Sequence, residues 1–404
     1  MDYAAALAWL GQTRRLGMKL GLGKMEALAA ALGSPEKKLR FVHIAGTNGK
    51  GSTAAFCAAA LRARGLRTGL YTSPHLRSVR ERIQVDGVPI SREAFAAGIA
   101  AVAAVSLPEE WGPPTFFEAV TAVALRHFAQ AGVEWAVWET GLGGRLDATN
   151  IVTPAVTIVT NIGTDHREFL GDTPEAVAAE KAGIFKPGVP AVTGQEAGPA
   201  LDVLRRRAEE KGAPLTVLHT GFPGPLGLRG PHQARNAACA AAALRLVLPF
   251  ADEELSRAFA TAAWPGRFQV LRKEPPLVVD GAHNPEGIAA AVAAWKESYR
   301  VPYRLVFGAF TDKDSAAAAR LLLPGAARVD LVGLPGERAA APESLLPHFP
   351  GAAVHPSLAA LWPDLGGEPA LLLGSLTLAA EALRLHEGAD AEETQLNELL
   401  SPAR

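Results

Sequence analysis

Short apolar runs rich in β-branched and aromatic residues alternate with longer stretches of helix-forming residues along most of the chain. Such runs are typical of strands in a parallel sheet, and the longer stretches are typical of the helices that cover it. In the larger, N-terminal part the predicted strands are 41–44, 67–71, 134–139, 155–161, 189–193 and 215–218. The predicted helices there are 53–64, 92–105, 115–130, 174–184, 199–211, 232–247 and 252–263.

The alternation breaks at Trp264-Pro-Gly-Arg267 and begins again after Pro275-Pro276. At 404 residues the chain exceeds the size at which one core stops growing, so two domains are expected. The pattern predicts an α/β protein with a large domain at 1–268, a linker at 269–276 and a smaller Rossmann-like domain at 277–404. Predicted strands of the smaller domain are 277–280, 303–307, 327–332 and 370–373.

Composition limits the classes of partner. The formal net charge is −1, so the chain has no basic excess for a nucleic-acid backbone and no polybasic membrane anchor. No uninterrupted apolar run reaches the length of a membrane span, and the N-terminus lacks a basic signal region. We expect a cytoplasmic protein that binds neither nucleic acid nor membrane. Cys57 and Cys239 lie in Ala-rich helical stretches, which favours buried free thiols over a disulfide.

The segment Gly46-Thr-Asn-Gly-Lys-Gly-Ser52 connects an apolar strand to an Ala-rich helix. Glycines in such a loop let backbone N–H groups close on phosphate oxygens, and Lys50 can reach the β- and γ-phosphates. The default ligand is ATP. A plain glycine-rich turn is the alternative, but a lysine and a serine at these positions favour a phosphate site.

Acidic residues follow two other predicted strands. Glu139 ends one strand and precedes a second glycine-rich loop, a position that suits Mg²⁺. Asp165-His166 follows the next strand, and His166 could ligate a metal or contact phosphate. Taken alone, Glu139 could equally pair with an arginine, and a single histidine near a strand end is more often structural.

Two further positions carry candidate chemistry. Lys181 lies on a mostly apolar helix, and its sequence surroundings alone favour a surface lysine over one held near an active site. Asp280-Gly-Ala-His283-Asn284 follows a strand of the smaller domain and places an acid, an imidazole and an amide in one loop. Loops at the carboxyl ends of parallel strands bind ligands.

Taken together, these motifs resemble the folylpolyglutamate synthase/dihydrofolate synthase family, which belongs to the Mur-ligase group of ATP-dependent amide-forming ligases. The matching segments run in order from about Leu20 to Ser375, nearly the whole chain. They are Gly46–Ser52, Ser73-Pro-His-Leu76, Glu139 with Gly141–Asn150, Asp165-His166, Glu180-Lys-Ala-Gly183, Pro265-Gly-Arg267 and Asp280–Asn284.

The resemblance implies a large P-loop (Mur-ligase-like) domain joined by a linker to the Rossmann-like domain, with catalysis in the cleft between them. It also implies two Mg²⁺ sites. Ser73 and Glu139 would ligate one ion, His166 would serve the metal and phosphate site, and Lys181 would be carbamylated so that it can ligate the second. The residues implied for the nucleotide are Thr47, Asn48, Gly49, Lys50, Gly51, Ser52, Asn236, Arg267 and Asp280.

On the same basis the substrates would be a folate or dihydropteroate and L-glutamate, and the protein would be a monomer. The pterin would meet Lys19, Leu20, Gly21, Thr115, Phe116, Phe117, Glu118, Leu146, Asp147 and Ala148. Phe116 and Phe117 could equally be core residues. Ser375 matches a position near the glutamate site, although Thr377 stands where many relatives carry an aromatic residue, and His283 would hold the transferred phosphate or the glutamate.

The hypothesis that follows is phosphorylation of a pterin carboxylate by ATP, with Mg²⁺ and Lys50 neutralising charge, and attack of glutamate on the acyl phosphate. One alternative is a Mur ligase of peptidoglycan precursors, but the Ser73–Leu76 run and Gly51 favour folate. A P-loop NTPase that acts as a switch, and a nucleotide-binding regulator without catalysis, are the alternatives from other classes.

Overall fold

The computed structural model describes residues 1–13, 21–163 and 167–388. Contacts divide this part of the chain into two compact units. Within these limits the first comprises Met1–Gly227 and Ala234–Ala262, and the second comprises Leu228–Gln233 and the chain from Ala263 onward. Among the described residues, the helices are all too short or too polar to cross a membrane.

One sheet organises the described part of the first unit. Its strands are β1 (Arg40–Ala45), β2 (Thr68–Tyr71), β3 (Ile83–Val85), β4 (Val88–Pro89), β5 (Trp135–Glu139), β6 (Val156–Val159), β7 (Ala191–Thr193) and β8 (Leu215–Val217). The order is β4-β3-β2-β5-β1-β6-β7-β8. Neighbours from β2 to β8 are parallel, and β3 and β4 extend one edge as antiparallel strands. The predicted parallel-rich sheet is confirmed.

Helices connect these strands, as the alternation predicts. They are α1 (Tyr3–Thr13), α2 (Gly23–Ala31), α3 (Lys50–Ala63), α4 (Arg92–Ala103), α5 (Phe116–Gln130), α6 (Arg167–Leu170), α7 (Pro174–Lys181), α8 (Pro199–Glu210), α9 (His232–Val247) and α10 (Asp252–Ala260). The α3 helix is buried along Gly51–Leu61 because its small side chains let it pack closely. Cys57 and Cys239 are buried free thiols, as predicted.

A second sheet organises the other unit. Its strands are β9 (Gln269–Arg272), β10 (Leu277–Val279), β11 (Tyr303–Phe307), β12 (Ala326–Val332), β13 (Ala353–His355) and β14 (Ala370–Leu373), in the order β13-β12-β11-β14-β10-β9. Its helices are α11 (Pro285–Ser298), α12 (Ser315–Leu322), α13 (Pro342–Leu345), α14 (Leu358–Leu361) and α15 (Leu376–Glu387). The strand order reverses between β11 and β14, as it does in Rossmann-like sheets.

The division between the units differs from the one expected from sequence. Residues 269–276 were predicted as a linker, yet they contain β9, which pairs antiparallel with β10. Phe268 is already buried in the core of the second unit. The contact boundary therefore falls between Ala262 and Ala263. A four-residue strand of mixed polarity followed by two prolines carries no periodic signal, which is why the pattern did not reveal it.

A buried ion pair joins the central strands of the second sheet. Arg304 on β11 donates through Nε to Asp330 on β12 at 2.7 Å, and the two side chains are 2% and 0% exposed. His355 Nε2 also contacts Asp330 Oδ1 at 2.8 Å. Burial by itself raises the pKa of Asp330, but hydrogen bonds from Arg304 and His355 outweigh it and the net pKa is lowered. The pair is therefore charged and balanced inside the sheet.

We predict that Arg304→Met lowers the free energy of unfolding of the second unit by about 3 kcal/mol, because the Asp330 carboxylate loses its buried counter-ion and keeps only His355 and the exposed Arg328. Hydrogen exchange of the β10–β12 amides measures this opening free energy in that sheet alone. Lys296→Ala removes an exposed side chain of α11 in the same unit and serves as the control, with an expected loss below about 0.5 kcal/mol. An Arg304→Met effect as small as the control's would contradict the prediction.

Candidate active site

The loop between β1 and α3 is anchored to the carboxyl end of β6. The backbone carbonyl of Asn161 accepts from the N–H of Thr47 at 3.0 Å, and its side-chain oxygen accepts from the N–H of Asn48 at 2.9 Å. The hydroxyl of Thr160 donates to the carbonyl of Asn48 at 2.7 Å. Thr47 also exchanges hydrogen bonds with the backbone of Gly163. These contacts hold the loop backbone in one conformation.

Two glycines make this loop conformation possible. Gly46 and Gly49 have φ angles of +151° and +84°, values that other residues rarely adopt. A Cβ at Gly49 would lie 2.3 Å from Oδ1 of Asn236, and one at Gly46 would lie 1.8 Å from Oγ1 of Thr160. Helix α3 begins at the next residue, Lys50, so its partially positive N-terminus opens at the loop. The geometry is that of a phosphate site.

Two lysines converge on one carbonyl of this loop. Lys50 Nζ donates to the carbonyl of Gly46 at 2.9 Å and to that of Thr47 at 3.2 Å. Lys181 Nζ, at the end of α7, donates to the same Gly46 carbonyl at 2.8 Å. Lys181 is only 4% exposed, so the interpretation of it as a surface lysine was wrong. The Lys50 side chain beside a glycine-rich loop favours binding of a polyanion, and Lys181 brings a second, buried amine to the same carbonyl.

An acidic position adjoins the loop. Glu139 ends β5, which lies between β1 and β2, and its buried carboxylate accepts from the N–H of Ser73 at 3.1 Å. Ser73 follows β2. Because parallel strands end at one edge of a sheet, the contributions of β2, β5, β1 and β6 lie side by side. Glu139, Ser73 and the phosphate loop are therefore brought together by adjacent strands.

The donors at this edge fit a Mg²⁺ ion. Within the described ranges no three His, Cys, Asp or Glu side chains are grouped so that they could hold a metal by themselves. Mg²⁺ does not need such a cage, because it usually takes one or two protein oxygens and completes its shell with water and substrate phosphate. Glu139 and Ser73 supply oxygen atoms of that kind next to the phosphate loop. His166, the other predicted contributor, lies outside the described residues.

The second glycine-rich loop is held by Asp147. Its carboxylate accepts from the N–H groups of Gly141 and Leu142 at 2.9 and 2.8 Å, and from the N–H and hydroxyl of Thr149. Burial raises the pKa of Asp147, and these four donors oppose that shift. Because every described contact of this carboxylate is within its own loop, its observed role is to shape the loop.

A buried histidine completes this network. His43 on β1 is fully buried, and its Nε2 lies 3.0 Å from the hydroxyl of Thr149. Since that hydroxyl donates its proton to Asp147, it accepts from His43, which assigns the proton of the neutral ring to Nε2. Burial, assisted by the charge of Lys186, lowers the pKa of His43 to about 3. The ring is therefore neutral at physiological pH.

The predicted pterin residues differ in how accessible they are. Phe117, which begins α5 with Phe116, is half-buried and lies against Tyr71 and Gly141. Phe116 is buried beneath the guanidinium of Arg82, with 5.3 Å from Cζ to the ring centre, so it is a core residue here. Thr115 and Glu118 cap α5 together.

The remaining predicted pterin positions divide between the described and undescribed chain. Leu146 is half-buried beside Asp147, and Ala148 is buried in the short 3₁₀ helix Ala148–Ile151. Gly21 is half-buried just before α2. The predicted contacts Lys19 and Leu20 lie outside the described residues.

The second unit brings its predicted residues to one edge of its own sheet. Asp280 follows β10 and accepts from the N–H groups of Phe268 and Ala282, both at 2.7 Å. His283 Nδ1 lies 2.9 Å from the carbonyl of Gly281, which makes Nδ1 the protonated nitrogen. Ser375 follows the neighbouring β14, but its hydroxyl accepts from the N–H of Leu378 and caps α15. Arg267 donates to the carbonyl of Gly266.

Several residues that shape the site were not identified as such from the sequence. His43 and Thr149 are separated by 106 positions, and Arg82 lies 34 positions before the Phe116 ring that it covers. Thr160 and Asn161 lie at the end of a predicted strand, and in the sequence only that position indicated that they could belong to a ligand site.

We predict that the free energy of unfolding falls as pH drops from about 6.5 toward 3, and that His43→Gln reduces the slope. Below pH 6.5 the unfolded chain protonates His43 and the folded chain does not, which costs at most about 1.4 kcal/mol per pH unit. Above about pH 6.5 His43 is neutral in both the folded and the unfolded chain, so it adds nothing to the pH dependence of the free energy of unfolding. Urea unfolding at several pH values measures this, with the exposed His219→Gln as a matched control. Equal slopes in wild type and His43→Gln would refute the assignment.

Comparison with known proteins identifies the family. Residues 44–193 match the Mur ligase middle domain, and residues 266–363 match the Mur ligase glutamate ligase domain. The chain is 39% identical over 345 residues to the dihydrofolate synthase/folylpolyglutamate synthase of Bacillus subtilis, an alignment that covers 77% of this chain and 80% of that protein. The motif-based expectation therefore agrees with similarity over most of the sequence.

Solved structures are similar over almost the full length. Escherichia coli FolC in complex with DHPP and ADP has a TM-score of 0.85 and 32% identity, and the match covers 96% of this chain and 99% of that one. The bifunctional folylpolyglutamate synthase/dihydrofolate synthase of Yersinia pestis, complexed with AMPPNP and Mn ion, has a TM-score of 0.87, 30% identity and coverage of 96% and 98%. This chain belongs to the folylpolyglutamate synthase/dihydrofolate synthase family of Mur ligases.

Proposed function

We propose that this protein is an ATP-dependent ligase that joins L-glutamate, through an amide bond, to the carboxylate of a folate and also of dihydropteroate. The observation that carries the proposal is the convergence of Lys50 and Lys181 on the Gly46 carbonyl, beside the Glu139 and Ser73 edge. The relatives named above, one of them complexed with DHPP and ADP, support the choice of substrates.

The nucleotide would bind the first unit at the phosphate loop. The N–H groups at the start of α3 would face the phosphates, and Lys50 would leave its carbonyl acceptors to contact the β- and γ-phosphates. Asn236 lies against Gly49 and would contact the nucleotide from α9. Other nucleotide contacts proposed by family resemblance are Thr47, Asn48, Gly49, Gly51, Ser52, Arg267 and Asp280.

Magnesium would be held by Ser73 and Glu139, together with His166, and a second ion by a carbamate formed on Lys181. When bound, Mg²⁺ would withdraw charge from the phosphate oxygens and orient the γ-phosphate. The Lys181 amine is buried and donates to Gly46. Carbamylation, in which the neutral amine adds to CO₂ and a proton is lost, would replace that cation with an oxygen-donating anion, which is the chemical requirement for a metal ligand at this position.

The chemistry needs activation of a carboxylate, since an ionised acid does not react with an amine at neutral pH. A carboxylate oxygen of the pterin substrate would attack the γ-phosphorus, and the bond to the β-bridging oxygen would break to release ADP. The amine of glutamate would then attack the acyl carbon, lose a proton and expel phosphate. That phosphate would carry away one oxygen of the original carboxylate. Lys50 would neutralise charge on the transferring group.

The two substrates would bind to different units. Phe117 offers a half-buried aromatic face for a pterin ring, and Thr115, Gly21, Leu146 and Ala148 are the other described candidates. Glutamate would bind the second unit near His283 and Ser375. Because the Ser375 hydroxyl caps α15, the remaining capacity of that oxygen would serve the substrate. A monomeric state and a cytoplasmic location stay predictions.

We predict phosphate release from ATP and Mg²⁺ only when glutamate and a pterin carboxylate are both present. Tetrahydrofolate and dihydropteroate are tested in separate assays. In each assay ATP, Mg²⁺, glutamate and the pterin are omitted in turn, and the product masses are determined by mass spectrometry. A mass increase of one glutamate residue is expected with each pterin. Phosphate release that ignores glutamate would instead favour an NTPase, and turnover only with nucleotide-linked peptides would favour a peptidoglycan ligase.

We predict that Lys50→Ala lowers the rate of ATP turnover by about a hundredfold or more, because charge on the transferring phosphoryl group loses its nearest cation. The fold should be retained, since the contacts of Lys50 within the described residues are with carbonyls of its own loop. Circular dichroism and thermal unfolding check this, and the exposed Lys211→Ala serves as the matched control. Wild-type turnover by Lys50→Ala would contradict the proposed phosphate site.

A further inference from the structure

The first unit contains a second buried lysine, Lys24, which the proposed mechanism does not use. It lies in the first turn of α2 and is 8% exposed. Its Nζ donates to the carbonyl of Pro113 at 3.1 Å and lies 3.5 Å from Oε2 of Glu118, whose side chain is 6% exposed. Burying two charges costs free energy unless they are close together and make further hydrogen bonds. A buried ion pair at this position therefore suggests a role beyond stability.

The contacts of Lys24 join three segments of the chain. Pro113 belongs to the stretch that leads into α5, and Glu118 lies in the first turn of α5. The ring of Trp111 in the same stretch lies so close to α2 that a Cβ at Gly23 would be 3.5 Å from it. The ammonium group therefore ties the start of α2 both to the approach to α5 and to α5 itself.

The partner of Lys24 fixes the start of α5 at the same time. Oε2 of Glu118 accepts from the N–H of Thr115 at 2.7 Å, and the Thr115 hydroxyl accepts from the N–H of Glu118 at 3.3 Å. The capping box sets the conformation of this helix start, and the ion pair connects it to α2. The carboxylate is thus already engaged, so direct binding of substrate by Glu118 is not its observed role.

The residues held in this way are those proposed to bind the pterin. Thr115 and Phe117 sit at the tethered start of α5, and Gly21 lies two residues before α2. The ring of Phe117 contacts Gly141 in the loop that Asp147 shapes. A change in the angle between α2 and α5 would alter the spacing of Gly21 and Phe117 while leaving the phosphate loop on β1 and β6 in place.

We propose that Lys24 is a positioning residue for pterin binding, which acts by locking α2 to the start of α5 through Glu118 and Pro113. This inference rests on the proposed function. It replaces the predicted contact between Glu118 and the substrate with an indirect role. It also requires that loss of the tether weakens pterin binding without weakening ATP binding, because the contacts of Lys24 in the described part of the chain are with Pro113 and Glu118 and not with the phosphate loop.

The test uses substitutions that separate the tether from stability. Glu118→Gln keeps the capping box, since glutamine can fill that position, but removes the charge. Lys24→Met in the same chain removes the matching cation with little change of volume. Replacing a buried pair by neutral side chains is often neutral for stability, so the double variant should fold with a near wild-type melting temperature. Lys24→Arg keeps the charge and two or more donors.

The measurement is the KM for pterin, the KM for ATP and kcat, taken from glutamate-dependent phosphate release. We expect the double variant to have a pterin KM about tenfold or more above that of the wild type, with the ATP KM and kcat unchanged. Lys24→Arg alone keeps the ion pair, so its pterin KM should lie between the values of the wild type and the double variant. Leu204→Ala, which removes buried apolar contacts of α8 in the same unit, is the control for general destabilisation and should leave the pterin KM unchanged.

The outcomes distinguish the inference from the function on which it rests. An unmoved pterin KM in the double variant, with normal wild-type turnover, would overturn the role of Lys24 alone. Parallel increases in the pterin and ATP KM values would also overturn it, since they would indicate general loss of order. Absence of any pterin-dependent turnover in wild type would overturn the proposed function and this inference with it.

Discussion

The backbone of the loop between β1 and α3 is held to the end of β6, and the rest of the site depends on this attachment. Asn161 and Thr160 fix the N–H and carbonyl groups of Thr47 and Asn48. The orientation of the Gly46 carbonyl follows from it, and that carbonyl receives both Lys50 and Lys181. The amines of two lysines from different helices are thus positioned by one peptide group. The parallel sheet brings this group beside the Glu139 carboxylate.

Behind this loop, buried polar groups bond to other protein groups and hold the neighbouring loops. Asp147 accepts hydrogen bonds from N–H groups of its own loop and from the hydroxyl of Thr149. That hydroxyl in turn accepts from His43 on β1, whose ring is neutral. Lys24 and Glu118 do the same for the start of α5. Such networks are costly when only partly satisfied, so the four donors on Asp147 and the paired charges of Lys24 and Glu118 favour one arrangement of the surrounding loops.

The sequence allowed the fold class and the central chemistry to be predicted because both depend on local patterns. Apolar runs marked most strands of both sheets, and glycines with a lysine at a strand end marked the phosphate loop. The family resemblance linked Lys181 to the site, whereas its own neighbours indicated a surface position. The burial of Lys181 depends on how α7 packs, which no local pattern encodes.

What could not be predicted depends on contacts between distant positions. Lys24 and Pro113 are 89 positions apart, and nothing near either residue signals their hydrogen bond. Strand β9 was missed because four residues of mixed polarity do not establish a period, and it forms only by pairing with β10. Phe116 and Phe117 were equivalent in sequence, and only packing beneath Arg82 makes the first a core residue and leaves the second half-buried.

The transfer of a carboxylate oxygen to phosphate tests the central claim most directly. The pterin substrate is labelled with ¹⁸O in its reacting carboxylate, and the phosphate released during amide formation is analysed by mass spectrometry. Activation through an acyl phosphate predicts that each phosphate carries one ¹⁸O atom from the substrate. Amide formation accompanied by unlabelled phosphate would show that ATP hydrolysis and bond formation proceed without that intermediate, and would contradict the account.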